Sequence, residues 1–154
     1  MIPDANVRSP LYSIARATAQ CLHCGRPTRL LALAMPGSHE TLEEDAWQCA
    51  GAEALLFHVH ALSAGAQHRL RELSLDFRPA HSAATQDTYW ANHCGHCGTL
   101  FDDHELHCEP DGAFSPSGET AAAAIELLAV NAPMQAVVSG YALEPEFLRF
   151  TRRR

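Results

Sequence analysis

Cys94-Gly95-His96-Cys97-Gly98 is the stretch on which the reading of this chain turns. The same pattern, Cys-x-His-Cys-Gly, stands earlier at Cys21-Leu22-His23-Cys24-Gly25. Two cysteines on one tight turn can aim both sulfurs at a single point. A glycine after the second tolerates positive φ, which lets backbone N–H groups turn toward the thiolates. Two such turns supply the four ligands of a closed tetrahedral zinc site. Cys21, Cys24, Cys94 and Cys97 are therefore expected to hold one structural Zn²⁺. Residues 25–93 separate the second cysteine of one pair from the first of the other, far more chain than a compact ribbon needs. The expected fold class is α+β and strand-rich, a single domain over residues 1–154 whose split zinc-ribbon element carries a long insertion between the two Cys pairs.

Dithiol redox chemistry is the rival for paired Cys-x-x-Cys motifs. A thioredoxin-like site places the motif between a strand and the start of a helix. Neither Arg26-Pro27 nor Thr99-Leu100-Phe101 opens a helix, so zinc is preferred over redox.

Outward from the two turns, Leu11–Gln20 reads as a strand feeding the first, and Arg26–Arg29 as a polar exit turn. Leu30–Met35 is a continuous apolar run stopped by Pro36-Gly37, the signature of a buried strand. Ser38–Gln48 is acidic and reads as an exposed loop, with a short helical turn allowed by the Thr41…Glu44 capping spacing. Ala54–Leu62 alternates His58 and His60 against Phe57, Val59 and Ala61, and is expected to be a strand. Ser63 precedes a helix of about ten residues with Ala66, Leu70 and Leu73 on one face. Ser74–Pro79 reads as a short strand and His81–Asp87 as a loop. Thr88–Asn92 is the strand entering the second turn, which Gly98–Phe101 leaves. In Thr120–Val130 one helical turn at Glu119–Ala123 is expected, then a strand that pairs as a hairpin with Gln135–Tyr141 across Asn131-Ala132-Pro133. Residues 1–10 are a leader, mobile or lying along the surface; 11–118 the zinc-ribbon-containing core; 119–146 a C-terminal hairpin or helix; and 147–154 a basic tail left disordered.

The formal net charge of −7 on 154 residues disfavours a nucleic-acid binder that relies on global charge. All eleven basic residues are Arg. Residues 1–10 carry no apolar h-region, and no run reaches the roughly 18 apolar residues of a membrane span, so a cytoplasmic, reducing setting is expected with no membrane partner.

Cys49 and Cys108 remain outside the pairs. Cys49 is expected in the core, where a free cysteine usually packs. Cys108 closes the segment Asp102-Asp103-His104-Glu105-Leu106-His107-Cys108-Glu109, which holds every ligand type a second metal uses. As a helix it sets His104 and Cys108 on one face; as a strand, Asp103, Glu105 and His107. A polar surface segment is the plainer expectation. The metalloprotease and deaminase signatures, Gly-rich phosphate loops and the Gly-x-Ser-x-Gly elbow are all absent. His23 and His96 are expected to point outward. His58, His60 and His93 read as ordinary strand residues, and Trp47, Tyr89 and Trp90 as packing groups.

At Tyr89-Trp90-x-Asn92-x-Cys94-x-His96-Cys97-Gly98, followed by Asp102 or Asp103 and by Leu106-His107, the sequence resembles a group of uncharacterised bacterial zinc-ribbon-like proteins. These pair an early Cys-x-x-Cys-Gly with a later Tyr-Trp-x-Asn-x-Cys-x-x-Cys-Gly. The resemblance covers roughly residues 15–115. It implies the four cysteines as zinc ligands and implies no established activity. The function expected is a zinc-binding adaptor or binding module with an unidentified protein partner. Two alternatives stand beside it: a metal-dependent enzyme using Asp102–Glu109, and a nucleic-acid-associated ribbon.

Overall fold

Leu30–Met35 is apolar at every position because the strand it lies in is covered on both faces. Leu31, Leu33 and Met35 enter one buried cluster and Leu30, Ala32 and Ala34 another, as the two-residue period of a strand dictates. The computed structural model describes residues 2–153. Among these residues the strands are β1 (Val7–Ser9), β2 (Tyr12–Gln20), β3 (Pro27–Met35), β4 (Glu40–Glu43), β5 (Ala46–Cys49), β6 (Ala54–Leu62), β7 (Phe77–Ser82), β8 (Asp87–His93), β9 (Leu100–Phe101), β10 (Glu126–Val130), β11 (Met134–Leu143) and β12 (Arg152–Arg153). The helices are α1 (Ala64–Leu73), α2 (Asp103–His107) and α3 (Glu119–Ala123), with a 3₁₀ turn at Glu146–Arg149. No helix among the described residues is long and apolar enough to cross a membrane.

The strands form a curled sheet in the order β12-β10-β2-β3-β6-β11-β1-β4-β5, antiparallel except for the β10–β12 pair. The connection lengths force the curl. β1 and β2 lie four places apart in that order, about 19 Å across a flat sheet. Yet Pro10 and Leu11 alone join Ser9 to Tyr12, a reach of about 11 Å. The sheet must bend until its two sides approach. Its inner face holds Tyr12, Ile14, Leu31, Leu33, Leu56, Val59, Trp90 and Met134, and α1 adds Ala66 and Leu70 one turn apart. On the outer face Ala15, Ala17, Leu30 and Leu55 meet Leu106 of α2, Ala122 of α3, and Phe147 and Leu148 of the 3₁₀ turn.

β6 is forked along one edge. Ala54–Leu56 pair with β3, whereas Val59 pairs with Trp90 of β8. Between those two stretches His58 turns to φ +50, an uncommon value for a residue with a Cβ. The strands β3 and β8 leave this fork and run to the two cysteine turns, so the fork and the turns define the ends of one wedge.

Several expectations fail, each for a physical reason. Residues 2–10 are not a loose leader: Ala5 and Val7 are buried, and β1 sits between β11 and β4. The exit turn at Arg26–Arg29 is mostly strand, since β3 begins at Pro27. Ser38–Gln48 is neither loop nor helix but the β4–β5 hairpin. Glu44 and Asp45 both take positive φ, the geometry that matches a two-residue turn to strand twist. Arg8 anchors that hairpin, 2.8 Å from Glu40 and with its guanidinium 4.2 Å from the centre of the Trp47 ring. Cys49 is exposed on the hairpin rather than packed in the core. β10 and β11 are not a hairpin; β10 pairs with β2 and β11 with β6 and β1, because residues 131–133 cross from one side of the curl to the other. The stretch after residue 146 is anchored, with Phe147 and Leu148 buried and β12 alongside β10. Met1 and Arg154, the ends of the expected leader and tail, lie outside the described residues.

Candidate metal centre

Each cysteine turn joins two antiparallel strands. Cys21–Gly25 links β2 to β3, and Cys94–Gly98 links β8 to β9. The two turns close in the same way. Cys21 N–H donates to Arg26 O (2.9 Å) and Gly25 N–H to Cys21 O (2.8 Å). Cys94 N–H donates to Thr99 O (2.8 Å) and Gly98 N–H to Cys94 O (2.9 Å). Gly25 and Gly98 take φ +77 and +76, so the glycine after each pair serves the left-handed residue the turn requires.

The four sulfurs meet across the wedge. Cys21 Sγ lies 3.7 Å from Cys97 Sγ and Cys24 Sγ 3.6 Å from Cys94 Sγ. All four lie within 4.8 Å of one another. Sulfurs about 2.3 Å from a central zinc at tetrahedral angles would be about 3.8 Å apart, so the set fits a tetrahedral ion. All six cysteines of the chain are free thiols. Cys21 and Cys94 are buried and Cys24 and Cys97 exposed, one of each from each turn.

Hydroxyl and amide groups shape the thiols. The Thr99 hydroxyl lies 3.1 Å from Cys97 Sγ, and with the Thr99 backbone it holds the Cys97 thiol down at about 6. Cys94 is lowered chiefly by the Cys97 backbone N–H and further by that of His96, whose nitrogen is 3.4 Å from Cys94 Sγ. At Cys24 the Arg26 backbone N–H favours the thiolate, but burial and the three neighbouring sulfurs outweigh it and push the thiol up to about 11. In the metal-free protein Cys97 and Cys94 thus ionise more readily than Cys24. A divalent cation would favour the thiolate at all four.

Two side chains that sequence reasoning passed over hold the turns together. Asn92, fully buried on β8, accepts from Leu31 N–H (2.8 Å) and donates to Leu31 O (3.0 Å). Its amide stands in for the missing strand pairing between β3 and β8. Thr28 Oγ1 on β3 accepts from Gly95 N–H (3.1 Å) in the opposite turn. The signal for Asn92 was its place in the Tyr-Trp-x-Asn motif. For Thr28 no sequence signal existed.

The other candidates disperse. His23 and His96 are exposed, and His96 Nδ1 lies 3.5 Å from Arg26 of the other turn. Trp90 and Tyr89 are buried and Trp47 half-buried. Asp102–Glu109 is mainly α2, capped by the Asp102 carboxylate accepting from His104 N–H (2.8 Å). It is not simply a surface segment. Asp103, Leu106 and His107 are buried, while His104 and Cys108 are exposed on the opposite side. Among the described residues, the four paired cysteines are the one group of three or more potential ligands with mutually close donors. His104, His107 and Cys108 do not converge.

Fold and site together define a strand-rich protein with a four-cysteine cluster that can hold a metal ion. Comparison with protein-family models, with curated proteins and with solved structures returns no match.

Proposed function

We propose that this protein is a zinc-binding module whose metal is structural and which acts by presenting a surface to a protein partner in the cytoplasm. In this reading Cys21, Cys24, Cys94 and Cys97 ligate one Zn²⁺, and the two cysteine hairpins form a zinc ribbon split by residues 25–93. The observation that carries it is the convergence of four free sulfurs, 3.6–3.7 Å apart in cross-turn pairs, from two turns of matching geometry. Thiolate ligands in a tetrahedral set select zinc among common divalent ions, and four of them leave no open position for a substrate. The resemblance of the second turn to bacterial zinc-ribbon-like sequences supports the same ligand set.

An adaptor role is supported by what flanks the metal centre. Leu22, at the tip of the first turn, is 95% exposed. Beside it lies a cleft of about 340 Å³ lined by Cys21, Leu22, His23, Thr99, Leu100, Phe101 and Glu105. The net charge of −7 opposes binding to a phosphate backbone. Elemental analysis of protein purified under reducing conditions tests the proposal. One zinc per chain is the expected result. Folded protein without zinc would overturn it. Two metals per chain, or salt-sensitive binding to DNA or RNA, would move the function to a metalloenzyme or a nucleic-acid module.

A further inference from the structure

The fork in β6 is filled by an acid and a base that have no charged partner. Asp103 and His107 lie one turn apart on α2 and both face β6. Asp103 Oδ2 accepts from His58 N–H at 2.8 Å, in the gap where β6 passes from β3 to β8. Asp103 N–H donates to Tyr89 Oη at 3.3 Å. The second carboxyl oxygen, Oδ1, is buried without a hydrogen-bond partner. His107 is stacked between Phe57 (5.2 Å, 23°) and Phe114 (5.0 Å, 18°), and its Nδ1 is likewise buried and unpartnered. No ion pair within 4.0 Å joins either group to an opposite charge among the described residues. An isolated buried charge costs far more than a neutral group in the same place.

We propose that Asp103 and His107 form a buried proton-exchange pair, and that docking α2 onto β6 moves one proton from the His107 imidazolium to the Asp103 carboxylate. In the undocked chain near pH 5–6 the carboxylate is ionised and the imidazole protonated. Docked, the carboxyl carries the proton on oxygen and the imidazole is neutral, so no proton is taken up or released overall. Burial drives both changes. It raises Asp103 from its ordinary 3.8 to about 7, against the favourable His58 N–H and with a smaller push from the Asp102 charge. It lowers His107 from 6.5 to about 3, with His58 adding to the effect. The other titratable groups around the pair are His58 and His60 of β6, Asp87 and Tyr89 of β8, and Asp102, His104 and Cys108 at the ends of α2. Residues 113–115, which supply Phe114, contribute none.

The consequence is a cancellation. A raised carboxyl makes docking weaker as pH climbs from about 4 to about 7, because the free chain releases a proton that the docked chain keeps. A lowered imidazole makes docking stronger as pH climbs from about 3 to about 6.5. The slopes are equal and opposite over their common range, so α2 holds the fork closed with little dependence on pH. Each alone would change the folding equilibrium about a thousandfold across its range.

Urea denaturation of the full chain with bound zinc, from pH 5.5 to 8.5, tests the pairing through Asp103→Asn and His107→Gln. Relative to wild type, Asp103→Asn should gain about fifteenfold in folding equilibrium constant between pH 5.5 and 7 and level off at about thirtyfold by pH 8.5. His107→Gln should fall behind by about fivefold between pH 5.5 and 6.5 and by about tenfold by pH 7.5. Both variants tracking wild type at all pH would overturn the proposal. Should either variant fail to fold, carbon and nitrogen NMR of the wild type at pH 5.5 decides it directly. A protonated Asp103 carboxyl with a neutral His107 ring supports the exchange, and an ionised carboxyl or a charged ring refutes it.

Discussion

Replacing Asn92 by Ala strikes the wedge at the point where β3 and β8 touch without pairing. The substitution removes both hydrogen bonds to Leu31 and leaves a backbone N–H and a C=O without their partner in a buried setting. Each such group costs roughly 1–3 kcal/mol, and the small cavity adds to this, so a loss of about 4 kcal/mol is expected. For a chain of this size each kcal/mol lowers Tm by roughly 2–4 °C, which predicts a fall of about 10 °C. Asn92→Asp should be no better. A carboxylate still accepts from Leu31 N–H, but it cannot donate to Leu31 O and brings a buried charge. The assay is thermal and urea denaturation with zinc in excess, followed by Trp90 fluorescence, together with the rate of zinc loss to a chelator. Both variants should release zinc faster than wild type. An Asn92→Ala protein melting within about 2 °C of wild type would refute the claim that this amide replaces strand pairing.

Further predictions concern the metal centre and the C-terminal anchor. Cys94→Ser should lose zinc and become unstable or aggregate, since structural zinc contributes roughly 10 kcal/mol or more of apparent binding free energy to folding; metal content and melting check it together. Thr99→Val removes the hydroxyl that contributes most to lowering Cys97, so the thiolate should form at higher pH than about 6 in the metal-free protein. The alkylation rate of Cys97 at pH 6.5 should then fall, and its pH profile should move to the alkaline side. Phe147→Ala should cost about 3–4 kcal/mol by opening the outer cluster under the 3₁₀ turn, as urea denaturation would report.

Local pattern revealed more of this molecule than its long-range pairing did. The apolar run Leu30–Met35, the alternation of Ala54–Leu62 and the single helical turn at Glu119–Ala123 all announced their own structure, and the two Cys-x-His-Cys-Gly turns announced that they belong together. Partner choice among strands was another matter. A hairpin for β10 and β11 followed naturally from their three-residue connection, yet the curl of the sheet lets so short a link cross between strands with other partners. The β4–β5 hairpin was hidden because its turn uses Glu44 and Asp45 at positive φ in place of glycine or asparagine. Charge misled in two places. Arg152-Arg153-Arg154 drew attention from Phe147 and Leu148, and the acidic look of Asp102–Glu109 concealed that Asp103 and His107 are buried. Which polar groups enter a core depends on which backbone N–H groups a fork leaves unpaired, and that exists only once β3, β6 and β8 are assembled.

In the proposed site one metal ion joins the β2–β3 and β8–β9 hairpins through four thiolates. Anomalous diffraction at the zinc edge from crystals of the full chain tests it most directly. A single strong peak is expected, equidistant from the sulfurs of Cys21, Cys24, Cys94 and Cys97 at about 2.3 Å from each. A structure with those sulfurs joined as disulfides, or with the zinc peak elsewhere in the molecule, would contradict it.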